Sequence, residues 1–149
     1  MRQRHAAEGR RDQEFEAFVA GAAGRLLHTA TLLTCEPVAP PGSNVRARQL
    51  LTAALARTYA DWDRLRGEDP YDRTRQDLVL RFAHGTRRDH RPRGGLLDGL
   101  TPQERLVLVL RLYEEMAPEQ TAALLGLPVD RVRVVCSRAV ATMRSGARP

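Results

Sequence analysis

The side chains of this sequence best suited to chemistry lie near its end: Arg131, Arg133, Ser137 and Arg138, with Val134 among them. A guanidinium is a planar fork of donors that can give two hydrogen bonds to the edge of a guanine or clamp a phosphate. A serine hydroxyl can donate or accept at either, and a valine offers only methyl groups. Such a set recognises a surface; it does not cut or transfer. Elsewhere the sequence has no Gly-rich phosphate loop, no carboxylate pair suited to a cleft and no Ser-His-Asp arrangement, so neither an enzyme nor a small-molecule substrate is expected. Cys35 and Cys136 stand far apart, and no histidine pair has ligand spacing. No metal, cofactor or disulfide is therefore expected, and a reducing cytoplasm suits the thiols.

Those side chains need a helix that buries its other side. Val132, Cys136, Ala139, Val140 and Met143 recur at helical spacing as one apolar stripe, and Asp130, Arg131, Arg133, Ser137 and Arg138 lie off it. A shorter helix precedes it, opened by Pro118 and packed through Ala122, Ala123, Leu124 and Leu125. Gly126 suits a left-handed cap, and Pro128 prevents the helix from resuming. This is helix-turn-helix spacing, which fits the DNA major groove. The same pattern also suits an ordinary surface helix of an α-bundle. Upstream, Thr101-Pro102-Gln103-Glu104 predicts a capping box that opens a helix over Pro102 to Glu115.

The composition agrees with a polyanionic partner. The 149 residues carry a formal charge of +6, with a pI near 10.5. All 24 basic residues are arginine, a preference that also follows from GC-rich coding. No run approaches the ~20 apolar residues of a membrane span, so no membrane insertion is expected. The start, Met1 to Gln13, lacks the apolar centre of a signal peptide.

The remaining periodicity predicts helices over Phe15 to Thr34, Val45 to Leu65 and Tyr71 to Arg88, separated by the turns Cys35 to Asn44 and Arg66 to Asp72. Trp62 reads as a core anchor at a helix end. The expected architecture is all-α: a flexible arm over 1–13, a helical domain over 14–88, a basic flexible linker over 89–99 and a helix-turn-helix domain over 100–145. The linker, with Pro92 and its glycines, is the expected site of first proteolytic cleavage.

The string from Leu100 to Arg144 resembles region 4 of bacterial extracytoplasmic-function sigma factors. Leu100, Arg105, Val109, Arg111, Tyr113, Glu115, Leu125, Gly126, Val132, Ser137, Arg138, Ala139 and Arg144 stand close to that family's pattern. The stretches FEAFV, RLLHTATLLT and AALARTYADW are similar to region 2, especially of an actinobacterial subgroup. The resemblance implies a sigma factor with core RNA polymerase, promoter DNA and an anti-sigma factor as partners. It implies upstream-element contacts through Arg131, Arg133, Val134, Ser137 and Arg138, and further DNA contacts through Arg81, Arg87 and Arg88. It implies a polymerase contact through Gln49, Leu50, Thr52 and Ala53. The family's usual acidic segment on the second helix is replaced here by Gln49-Leu50-Leu51-Thr52-Ala53. The asparagine and tryptophan of its third helix are missing near Leu80, Arg81 and Thr86. Two other readings stay open: a helix-turn-helix regulator that binds DNA without polymerase, and a sigma-like protein that acts without melting promoters.

Overall fold

The computed structural model describes residues 1–85 and 94–146. Among these it contains six α-helices: α1 (Arg2–Thr34), α2 (Val45–Ala60), α3 (Pro70–Gly85), α4 (Pro102–Leu108), α5 (Pro118–Leu125) and α6 (Val129–Gly146). A 3-10 turn follows α2 at Trp62–Arg64, and α4 widens into a π turn over Val109–Tyr113. Residues 89–93 of the expected linker, and Arg87 and Arg88 before it, lie outside the described residues.

Residues 2–13 are not a coil but the first turns of α1. Alanine, glutamate, glutamine and arginine there are strong helix formers, and tertiary contacts continue the helix. Arg11 donates to the Tyr59 carbonyl (2.8 Å) and the Asp63 carboxylate (3.1 Å), while the Tyr59 hydroxyl donates to Asp12 (2.6 Å). Phe15 then meets Tyr59 and Trp62 edge-on, with ring centroids 5.0 and 5.4 Å apart. Trp62 thereby ties α1 to the end of α2, but it is half-buried and lies outside the core in which its pattern placed it.

Local chemistry sets the joints. Cys35 takes a left-handed conformation (φ 57°) and ends α1. The buried Glu36 then accepts from the backbone N–H groups of Arg46 and Ala47 (3.0 and 2.7 Å), so its carboxylate caps the start of α2. At the other end α2 stops at Ala60, short of the expected Leu65. There Asp61 receives Arg57 (3.0 Å) and Arg73 (3.1 Å). The hydrogen bond from Arg57 is the main cause that holds the Asp61 carboxyl below its usual range. Where α2 meets α3, the buried Thr58 and Thr74 hydroxyls bond each other at 2.7 Å.

The two expected domains share one core. Leu26, Leu33, Leu78, Val79 and Phe82 from α1 and α3 join Leu106, Leu108, Val109 and Leu110 in a single cluster. Leu106 to Leu110 are all buried, so α4 has no solvent face across this stretch. A helix apolar all round must be sandwiched: Val107 points instead into a smaller cluster with Ala122, Val132 and Val135. The end of the expected linker also belongs to the body. Leu97 and Leu100 are buried, and Gly95 lies so close to the Cys35 backbone that a Cβ would sit 2.2 Å from its carbonyl oxygen.

One acidic side chain fastens the halves together. In the π turn the Glu114 N–H reaches back to the Val109 carbonyl (2.9 Å), a widening that turns residue 114 inward. Glu114 is 6% exposed. Its carboxylate accepts from the Thr29 hydroxyl (2.7 Å), the Tyr71 hydroxyl (2.8 and 3.0 Å) and Arg75 (3.1 Å), with Arg25 at 3.7 Å. Arg105 adds a bond to the Leu33 carbonyl (3.0 Å), and Arg25 one to the Tyr113 carbonyl (2.9 Å).

Candidate nucleic-acid interface

The interface is built from the turn outward. Thr101 accepts from Glu104 N–H (3.2 Å) and Glu104 accepts from Thr101 N–H (3.0 Å), which completes the capping box and sets the direction of α4. At α5 the Gln120 side chain accepts from Ala117 N–H (3.3 Å), with Pro118 at the first turn. Gly126 ends α5 in the left-handed region (φ 68°), and Leu127 N–H bonds back to the Ala122 carbonyl (3.0 Å). The chain then enters α6, which buries Val132, Val135 and Ala139. Val135 lies outside the expected stripe. It is buried because α5 and α4 both cover that side, a packing that periodicity within one helix cannot reveal.

Arg131, Arg133, Val134, Ser137 and Arg138 are all exposed on α6. Arg131 reaches Gln103 at 3.4 Å, and Arg133 reaches both Asp130 and Glu119 at 3.4 Å. Exposed pairs of this length stabilise by at most about 1 kcal/mol and are screened by salt, so they hold the guanidinium groups in place without preventing their transfer to a polyanion. The face is a row of donors projected away from the core. Chemically it can neutralise phosphates and pair with base edges.

The other expected site residues fall elsewhere. Arg81 is exposed on α3 and paired with Asp77 within its own helix. On α2, Gln49 and Thr52 are exposed and Ala53 is half-buried. They line a shallow hollow of about 570 Å³ with Val45, Arg48 and Ala56. Leu50 is corrected: it is only 9% exposed and belongs to the core, because the α2 stripe that faces α1 runs through positions 47, 50, 51 and 54. Among the described residues, no acidic side chain lines this hollow.

Several features escaped the reading of the sequence. The Glu36 cap and the Glu114 clasp each join residues distant in the chain, and neither has a local signature. An apolar groove of about 430 Å³ lies between Leu32, Leu97, Leu108, Val140 and Met143, flanked by the exposed Leu96 and Leu112. The continuous apolar run LVLVL was its available signal, since a helix with one solvent face would not carry it. Among the described residues, no three His, Cys, Asp or Glu side chains converge to hold a metal ion. None of the described helices is long and apolar enough to cross a membrane. Cys35 is buried and Cys136 half-buried, and the two are not joined by a disulfide.

Comparison with known proteins agrees with this geometry. Residues 96–145 match the family model for sigma-70, region 4. The RNA polymerase sigma-E factor of Streptomyces avermitilis is 33% identical over 156 residues, covering 88% of this chain and 83% of that protein. The sigma-E factors of Streptomyces coelicolor and Streptomyces antibioticus are 32% and 33% identical over similar spans. Among solved structures, the anti-anti-sigma factor PhyR, co-crystallised with the anti-sigma factor NepR from Bartonella quintana, shares the fold with a TM-score of 0.60. Its identity is 17%, and the match covers 89% of this chain but only 50% of that one. With the helix-turn-helix in place and relatives aligned across both halves, the chain belongs to the RNA polymerase sigma factors, in their extracytoplasmic-function branch.

Proposed function

We propose that this protein is a sigma factor that directs core RNA polymerase to promoters, with α6 reading the upstream element as duplex in the major groove. The observation that carries the proposal is the exposed face of Arg131, Arg133, Ser137 and Arg138 on the second helix of a capped helix-turn-helix, in a chain aligned with sigma factors over 88% of its length. Arg138 is the leading candidate for a base or phosphate contact. It has no bonded partner among the described residues, so it enters the groove without first leaving another group. Core polymerase, promoter DNA and an anti-sigma factor are the partners of this reading. The α2 hollow formed by Gln49, Thr52 and Ala53 is the proposed polymerase contact, and Arg81, with Arg87 and Arg88 beyond α3, is proposed to follow the DNA backbone.

The test is run-off transcription with purified core enzyme. Addition of the chain should produce a discrete transcript from promoters selected from its own genome. Arg138→Ala should reduce that transcript at least several-fold and lower the salt dependence of DNA binding by about one counterion. A second reading is favoured by one observation, that none of the described residues lining the α2 hollow is acidic. On that reading the chain binds DNA without polymerase. Co-purification with core enzyme separates the two: a DNA-binding chain that never retains the polymerase is a regulator and not a sigma factor.

A further inference from the structure

Val134 is the apolar exception on the cationic face of α6. It is 45% exposed, whereas its neighbours Val132 and Val135 are at 0% and 2%. Those two, with Ala139, satisfy the packing of α6 against α4 and α5, so nothing in the fold requires a branched side chain at 134. Helical spacing places Arg131 one turn before it and Arg138 one turn after, with Ser137 beside it. Its γ-methyl groups therefore stand between donors, on the side that points away from the protein.

We infer that Val134 is a specificity-determining residue that reads the C5-methyl group of one thymine, at a step flanked by those that Arg131 and Arg138 contact. The thymine methyl is the one sizeable apolar feature of the unmodified major-groove code; cytosine shows only a C5–H in that place, and the remaining edge groups are donors or acceptors. A valine facing any of those would desolvate it without return. Facing the methyl, it removes apolar surface from water on both partners. This inference rests on the reading that α6 enters the major groove, and it adds one position of sequence preference to it.

The test removes the methyl from the DNA alone. Duplexes are selected from a randomised library by the full chain together with core polymerase. Each thymine of the selected upstream element is then replaced singly by deoxyuridine, and binding is measured by fluorescence anisotropy at fixed salt. At one position the replacement should weaken wild-type binding about four-fold, the value of one buried methyl. Val134→Ala should bind the thymine and deoxyuridine duplexes equally; alanine is the strongest helix former, so α6 remains intact. Arg138→Ala serves as the second variant. It should bind more weakly overall yet keep the deoxyuridine penalty. Sequence-selective binding in which no deoxyuridine penalty disappears in Val134→Ala overturns the inference and leaves the major-groove reading standing. Selection that yields no common sequence overturns both.

Discussion

At the scale of single residues, Tyr71 shows how the clasp can be interrogated by pH. Its hydroxyl donates to both oxygens of Glu114. Burial first, then the hydrogen bond to Glu114 and its negative charge, push the phenol well above its ordinary value; Arg25 and Arg75 oppose this only in part. A phenol whose folded pKa exceeds its unfolded one binds its proton more tightly in the native state. Its contribution is therefore complete below about pH 10 and is lost as pH rises towards the folded value. Urea unfolding across alkaline pH should show stability falling above about pH 10, with Tyr71→Phe removing much of that slope. At neutral pH the same substitution should cost roughly 1–2 kcal/mol, the low end for bonds to a charged acceptor, because the Tyr71 donor is itself only half-buried. Superimposable pH profiles for the two proteins would mean that Tyr71 does not bond Glu114 in solution.

At the scale of elements, α2 and the approach to α4 carry the sharpest expectations. The exposed part of α2 presents Arg48, Gln49 and Thr52 around the hollow, and among the described residues it offers no acidic side chain to meet a basic partner surface. Contact with core polymerase should then be measurable, weakly salt-dependent and weaker than for family members that keep the acidic segment. Gln49→Asp with Ala53→Glu should tighten it, since the two positions are four apart on one helix face. Affinity of wild type and double variant for core enzyme across a salt series decides this, and no gain would place the polymerase contact on another surface. Gly95 is the second case. Its backbone is pressed against Cys35, where an added Cβ would lie 2.2 Å from the carbonyl oxygen. Gly95→Ala must displace main chain and should cost about 1–3 kcal/mol, the range for overpacking. A thermal melt unchanged by this substitution would show that the two segments are not in contact.

At the scale of the whole molecule, the clasp sets a limit on the proposed promoter contacts. A compact chain of this length has a radius of gyration of about 15 Å; under the proposed function, DNA contacts of α6 and of Arg81 set two helical turns apart would be separated by about 70 Å of duplex. The arrangement in which Glu114 joins α1, α3 and the π turn cannot touch both. Dyes at Glu68 and Ser145 should accordingly show efficient energy transfer in the free chain and lose it in the complex with polymerase and promoter; undiminished transfer there would mean that the closed form binds DNA as it stands. Glu114→Ala should favour opening even without partners. Truncating one member of a buried charge network leaves Arg75 with Asp72 and the Tyr71 ring, at a cost of about 2–4 kcal/mol. Small-angle scattering should report a larger radius for that variant, and an unchanged radius would show that the apolar core alone keeps the halves together.

The sequence by itself determined what is local. The capping box at Thr101, the left-handed stop at Gly126, the exposed arginines of α6 and the helical spacing of Leu26, Leu33, Leu78 and Phe82 each depend on neighbours within a few residues. Only the tertiary structure decided which faces were spoken for. Leu50 became core and Gln49 surface because α1 covers one side of α2. Residues 2–13 became helix because Tyr59 and Asp63 receive Arg11. Glu114 entered the core because a π turn rotated it towards Thr29, Tyr71 and Arg75, donors 85, 43 and 39 positions away in the chain. No periodicity encodes such a meeting, because its energy depends on charges and hydroxyls brought together by the packing of α4 against α1, and that packing is a property of the assembled core.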